Sequence, residues 1–211
     1  MKLSYDDVKR YIAHIHLKKI GIFGQKKIIN TKILIIGVGG LGSPVALYLA
    51  SSGFQNIGIV DHDKVDISNL HRQILFNEED VKKFKVDAAT KKLKKINSKI
   101  KIKKFCTKIN SININKIAKK YDLIIDGTDS FRSKLLINDY CAKNKKILVT
   151  YPEALFEKVV LPNTLQQNII QMSQIKIHLF LYLRISLIPY IYFCINIIYH
   201  TRTKIKFQLF K

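Results

Sequence analysis

Cysteine is scarce in this chain and forms no pattern. Cys106, Cys141 and Cys194 are the three present, and none stands in a C-x-x-C pair, which excludes both a zinc ribbon and a disulfide framework as readings. An intracellular, cytoplasmic protein is the expectation. The N-terminus lacks the apolar core of a signal segment, since Met1 to Arg10 is polar. Acidic residues are also few, 15 against 37 lysines and arginines, for a formal charge of +22. Such an excess often marks a partner of nucleic acid or an anionic membrane. Here the lysines are scattered, as at Lys82, Lys83, Lys91, Lys92, Lys94 and Lys95, on what read as outer helix faces. Charge alone gives only non-specific attraction, so the reading is solvated surface, and neither a nucleic acid nor a membrane partner is expected. Glycine and acid then run out altogether: the last glycine is Gly127 and the last acid Glu157.

What is present is organised around one stretch. The apolar run Ile33-Leu34-Ile35-Ile36 stops at Gly37, and Gly37-Val38-Gly39-Gly40-Leu41-Gly42 fits G-x-G-x-x-G before a helix that begins near Ser43-Pro44. Bare tight turns let the backbone approach a phosphate, and a helix N-terminus offers free N–H groups. A continuous apolar run suits a buried parallel strand. Alone, the fingerprint fits a dehydrogenase, another nucleotide binder or a merely tight turn.

The order of the chain narrows this. Ser4 and Asp7 form a capping-box pattern, and Val8, Tyr11, Ile12 and Ile15 follow at helical spacing. Gly21 and Gly24 break that segment, and a second short helix is expected to begin at Gly24. Gly53 ends the helix after the glycine loop, and Ile57, Ile59 and Val60 form a second strand ending in Asp61. That acid lies about 20 residues beyond the loop, where a ribose-binding carboxylate is expected. A helix is predicted over 81–96 after Asp80, a strand around Ile100 and Ile102, and a helix over 112–119. A further apolar strand runs from Tyr121 to Asp126, then a helix from Phe131 to Asn144 and a strand Ile147–Thr150. The alternation predicts an α/β fold: a Rossmann-like doubly wound, mainly parallel sheet with ligands at the strand C-terminal ends. Asp122 and Asp126 read as strand-flanking residues, and Cys141 as a small buried hydrophobe.

The quoted glycine loop, Asp61-His62-Asp63, Ser68-Asn69-Leu70-His71-Arg72-Gln73, Lys85-Val86 and Asp126-Gly127-Thr128-Asp129 together resemble the MoeB/ThiF family of adenylyltransferases. The resemblance covers roughly Arg10 to Thr150. It implies ATP- and Mg2+-dependent adenylylation of the C-terminal Gly-Gly carboxylate of a ubiquitin-like, MoaD- or ThiS-like sulfur carrier, serving molybdopterin or thiamine biosynthesis. It also implies a homodimer. By the same resemblance Gly37, Gly39, Gly40 and Gly42 form the nucleotide loop, Asp61 holds the ribose, and Asp63 is a further cofactor-binding residue. Asn69, Arg72 and Lys85 contact phosphates, Asp129 holds the metal, and Ser68, Leu70, His71 and Ser130 line the same pocket. Asp129 is also a candidate helix N-cap. His71 is not needed as a base, because a carboxylate nucleophile is ionised at neutral pH.

Two departures bound the resemblance. The family's Arg-Tyr-x-Arg reads Arg10-Tyr11-Ile12-Ala13 here. Losing that second arginine, which in the family reaches the neighbouring subunit's nucleotide, would slow the reaction on the order of 100-fold. Ser130 also stands where Asn is usual. Beyond Thr150 the family's carrier-binding region and zinc-binding C-x-x-C pairs are not recognisable, so no zinc site is expected. The organisation read from the sequence is therefore a helical extension at 1–30, an ATP-binding adenylation domain at 31–160, and an irregular hydrophobic tail at 161–211 that is not a domain. The apolar run Ile185 to Tyr199 is shorter than the roughly 20 residues a bilayer span requires, which leaves a truncated or frame-shifted end as the reading of the tail. The alternatives are a catalytically impaired nucleotide-binding remnant of the family, a tRNA-modifying dehydratase of the same superfamily, and an NAD-dependent dehydrogenase, against which the Ser68–Gln73 cluster argues.

Overall fold

The apolar runs become parallel strands: β1 (Lys32–Ile36), β2 (Asn56–Val60), β3 (Lys101–Phe105), β4 (Leu123–Asp126) and β5 (Ile147–Thr150). A computed structural model describes residues 3–150; the tail readings at 161–211 fall outside the described residues. The sheet order is β3-β2-β1-β4-β5, with every pairing parallel. The chain therefore reverses its direction of winding between β1 and β4, and such a switch point opens a crevice beyond the strand C-termini.

Alternate residues of β1 supply two cores. Ile33 and Ile35 join Ile57, Ile59, Leu123 and Ile125 under the helices α4 (Gly42–Ser52) and α5 (Lys85–Ile96). Leu34 and Ile36 join Val60 and Ile124 under α6 (Ile114–Ala118) and α7 (Phe131–Lys143). Burial on both faces is why these strands read as unbroken apolar runs. The edge strand β3 differs: Lys101, Lys103 and Lys104 are exposed, and lysines on an edge discourage pairing with another chain.

Three helices, α1 (Tyr5–Arg10), α2 (Ile12–His16) and α3 (Gly21–Asn30), precede the sheet. The Ser4–Asp7 capping box forms as predicted. Tyr11 fixes this extension to the body: it is buried, and its hydroxyl accepts a hydrogen bond from Asn97 Nδ2 at 3.2 Å. No helix among the described residues is long and apolar enough to cross a membrane.

Several boundaries differ from the sequence reading. Gly24 does not start a helix; it lies inside α3, which begins at Gly21 with φ +56°. The helix predicted over 81–96 starts only at Lys85. Residues Glu78–Asp80 form a 3-10 turn closed by an Asn77–Asp80 capping box, and Lys82 takes φ +69°. The chain is diverted there because Val65 and residues 82–83 exchange backbone hydrogen bonds. The helix predicted over 112–119 shrinks to Ile114–Ala118, since Asn110 Oδ1 accepts from the N–H groups of Ile112 and Asn113 and competes with helix formation. Gly53 ends α4 as expected, in the left-handed conformation at φ +100°.

Candidate functional site

Two loops meet above the switch point, and glycine makes the meeting possible. Gly37 leaves β1 with φ +86°, and a Cβ there would come within 2.9 Å of the Gly127 carbonyl. At Gly42 a Cβ would overlap the Gly37 carbonyl oxygen. By contrast, a Cβ at Gly40 would meet only the Arg72 side chain, at 3.7 Å. Gly42→Ala should therefore destabilise the protein by about 1–3 kcal/mol through overpacking, while Gly40→Ala leaves stability nearly unchanged. Thermal denaturation of the two variants checks this; equal melting temperatures would contradict it.

The cleft that results has a volume of about 740 Å³. Gly37, Gly39, Gly40, Asp61, Asp63, Asn69, Arg72, Lys85, Asp129 and Ser130 all line it. Four of the predicted site residues do not. Gly42 sits beneath the loop, against Gly37. Leu70 packs against the hydrophobic core. Ser68 turns to Asp66, its Oγ donating to Oδ1 at 2.5 Å. His71 is exposed, its Nε2 3.2 Å from Arg72 Nη1. A 3-10 turn over Ile67–Asn69 carries the side chains of consecutive residues to different sides, so the linear motif cannot all face one way.

Asp61, at the end of β2, is buried. Its Oδ2 accepts from Val38 N–H and its Oδ1 from Asp63 N–H, both at 2.9 Å. The carboxylate thereby joins the glycine loop to the strand beside it. Lys85 opens α5 almost fully buried, with Nζ 2.9 Å from Asp63 Oδ2. Burial acts to raise the Asp63 carboxyl, but the hydrogen bond and charge of Lys85, helped by His62 and Lys108, hold it below its ordinary value. Asp61, His62 and Asp63 offer ligand atoms within 4.8 Å of one another, yet the bonds just named engage both acids and set the Lys85 ammonium beside them. Asp129 is different: it is exposed on the cleft wall, and its carboxylate has no hydrogen bond or ion pair among the described residues. Its N-cap role is not taken up, because Ser130 occupies the N-cap of α7 and makes no side-chain cap.

Sequence reasoning missed the support under Asp129. Asp126 is buried, and its Oδ2 accepts from Lys134 Nζ at 3.1 Å and from Thr150 Oγ1 at 2.7 Å. Its Oδ1 accepts from Thr128 N–H at 2.9 Å and Thr128 Oγ1 at 2.7 Å. One carboxylate thus ties together β4, β5, α7 and the turn that carries Asp129. Lys134, in a helix of mixed polarity, gave no signal of burial. The loop after β3 was missed too; it brings Thr107, Lys108 and Ile109 to the cleft. Cys141 is the buried hydrophobe expected, its thiol pushed up to about 12 mainly by burial, which keeps it unreactive.

These features define a doubly wound parallel α/β protein with a glycine-loop cleft at its switch point. The chain belongs to the ThiF family, which its residues 11–154 match. It is 45% identical over 144 residues to a probable molybdopterin-synthase adenylyltransferase of Porphyra purpurea, covering 68% of this chain and 38% of that one. It is 42% identical over 149 residues to the adenylyltransferase and sulfurtransferase MOCS3 of Culex quinquefasciatus, covering 71% and 34% respectively. The chain thus spans about a third of the length of these curated relatives. Among solved structures, the E. coli tRNA N6-threonylcarbamoyladenosine dehydratase TcdA in complex with ATP matches with a TM-score of 0.67 and 27% identity, over 71% of this chain and 61% of that one.

Proposed function

We propose that the protein adenylylates the C-terminal Gly-Gly carboxylate of a ubiquitin-like sulfur carrier, using ATP. The observation that carries this reading is one cleft lined together by the glycine loop, by Asn69, Arg72 and Lys85, and by Asp129, whose carboxylate has no partner among the described residues. The names of the relatives favour molybdopterin biosynthesis over thiamine biosynthesis. The protein acts in this reading as a cytoplasmic homodimer.

A carboxylate oxygen of the carrier attacks the α-phosphorus of ATP; the bond to the β-phosphate oxygen breaks and pyrophosphate leaves. Two anions must be brought together in line, so positioning and positive charge supply most of the catalysis. The bare loop and the N-terminus of α4 receive phosphate oxygens. Asp61 keeps lone pairs beyond its two backbone bonds for the ribose hydroxyls. Arg72 offers a forked guanidinium and Lys85 a compact charge. Asp129, an oxygen donor without a partner among the described residues, suits a hard cation; Mg2+ held there would neutralise phosphate charge.

The test is carrier-dependent exchange of labelled pyrophosphate into ATP. Exchange that requires an intact Gly-Gly terminus is the expected result. ATP binding without exchange for any such carrier would instead identify a nucleotide-binding remnant. That second reading is favoured by Ala13, exposed on α2 and outside the cleft of its own chain, where the family arginine is missing.

A further inference from the structure

Gln73 is the anomaly of the cleft. It is 3% exposed and lines the pocket beside Gly39. Its Nε2 donates to Asn69 Oδ1 at 2.7 Å. Its Oε1 is buried with no hydrogen-bond partner among the described residues. An unpaired buried acceptor lowers stability, and a methionine of similar length would avoid it. The side chain is a poor choice for packing alone, so its remaining bond, to Asn69, becomes the feature to explain.

We propose that Gln73 is a positioning residue that, together with Ser68, holds the Asn69 carboxamide in one direction, so that Asn69 turns N–H, and not its oxygen, toward the phosphates. This rests on the reading of the cleft as an ATP site. The two ends of a carboxamide have nearly the same shape, and only hydrogen-bond partners tell them apart. Here the direction propagates along a chain that starts from a group able only to accept. The Asp66 carboxylate accepts from Ser68 N–H at 2.8 Å and from Ser68 Oγ–H at 2.5 Å. Having given its proton to Asp66, Ser68 Oγ can only accept from Asn69, whose Nδ2 lies 3.0 Å away. Asn69 Oδ1 then points to the other side, where Gln73 Nε2 meets it. Asn69 Nδ2 keeps one hydrogen that neither neighbour takes. An oxygen in that place would repel a phosphate; a donor binds it. Ser68 thus belongs to the site by orienting Asn69 and not by lining the cleft.

The experiment is calorimetric titration of the full chain with ATP and, separately, with adenosine. Gln73→Met removes one of the two bonds that hold the carboxamide, leaving only the 3.0 Å bond to Ser68 Oγ, and should weaken ATP binding by about tenfold, the scale of one hydrogen bond to a charged group. Adenosine affinity and melting temperature should not fall, since adenosine has no phosphate and Met removes an unpaired acceptor. In an Asn69→Ala background, Gln73→Met should have no further effect on ATP. An equal loss for ATP and adenosine would mean that Gln73 merely supports the fold, and an undiminished effect in the Asn69→Ala background would mean that it does not act through Asn69. Unchanged ATP affinity in Gln73→Met, with the wild type binding normally, would also overturn the inference. Absence of ATP binding by the wild type would overturn instead the reading of the cleft on which it rests.

Discussion

Arg72→Ala is expected to slow carrier-dependent pyrophosphate exchange by about 100- to 1000-fold, the usual effect of removing one preorganised donor from a developing charge. Arg72 is exposed, and its one protein hydrogen bond from the guanidinium to a backbone group is a 3.3 Å contact to Ser68 O. Little of the fold depends on it, so the melting temperature should stay within about one degree of wild type, as for an ordinary surface substitution. Arg72→Lys should recover only part of the rate. An ammonium restores the charge but cannot reach two phosphate oxygens with a planar fork. Steady-state exchange kinetics of the two variants decide the point. Near-wild-type exchange in Arg72→Ala would remove Arg72 from the proposed machinery.

Lys134→Met is expected to act on the fold itself. Lys134 and Asp126 have side chains only 5% and 1% exposed. Removing one partner leaves a buried charge without its counter-ion, which destabilises a protein by about 3–5 kcal/mol. Three donors on Thr128 and Thr150 still face Asp126, which puts the expectation at the lower end. Replacing both partners, in Asp126→Asn/Lys134→Met, should return most of the loss, because no net charge is then buried. Urea denaturation of the two single variants and the double variant measures this. A loss below about 1 kcal/mol for Lys134→Met, the range of an exposed pair, would show that the pair contributes no more than a surface salt bridge.

Arg72 and the Asp126–Lys134 pair serve different parts of the molecule, and the sequence exposed them unequally. Arg72 was legible because the run Ser68-Asn69-Leu70-His71-Arg72-Gln73 resembles the MoeB/ThiF motif. Asp126 and Lys134 were not. The first ends an apolar strand, the second lies eight residues on in a helix, and Thr150 comes 24 residues after Asp126. No local period connects these three. Within the motif itself, the run Ser68–Gln73 could be recognised as a unit, but not which of its members face the cleft. That division depends on the backbone path through the 3-10 turn over Ile67–Asn69 and the residues after it, along which Asn69 and Arg72 line the cleft and His71 does not.

By itself, the sequence determined the α/β class, the strand succession and the glycine turn. The reason is local: apolar runs of strand length, glycines where the backbone takes positive φ or another chain segment approaches, and caps such as Ser4–Asp7. The tertiary structure alone decided that α5 starts at Lys85, where Val65 diverts the preceding residues into backbone pairing. It alone decided that Gln73 is buried with one acceptor unpaired and that Asp126 joins two strands and a helix under the site. Each of these depends on partners brought together by the winding of the sheet, and a hydrogen bond or buried charge is defined by its partner, not by its place in the chain.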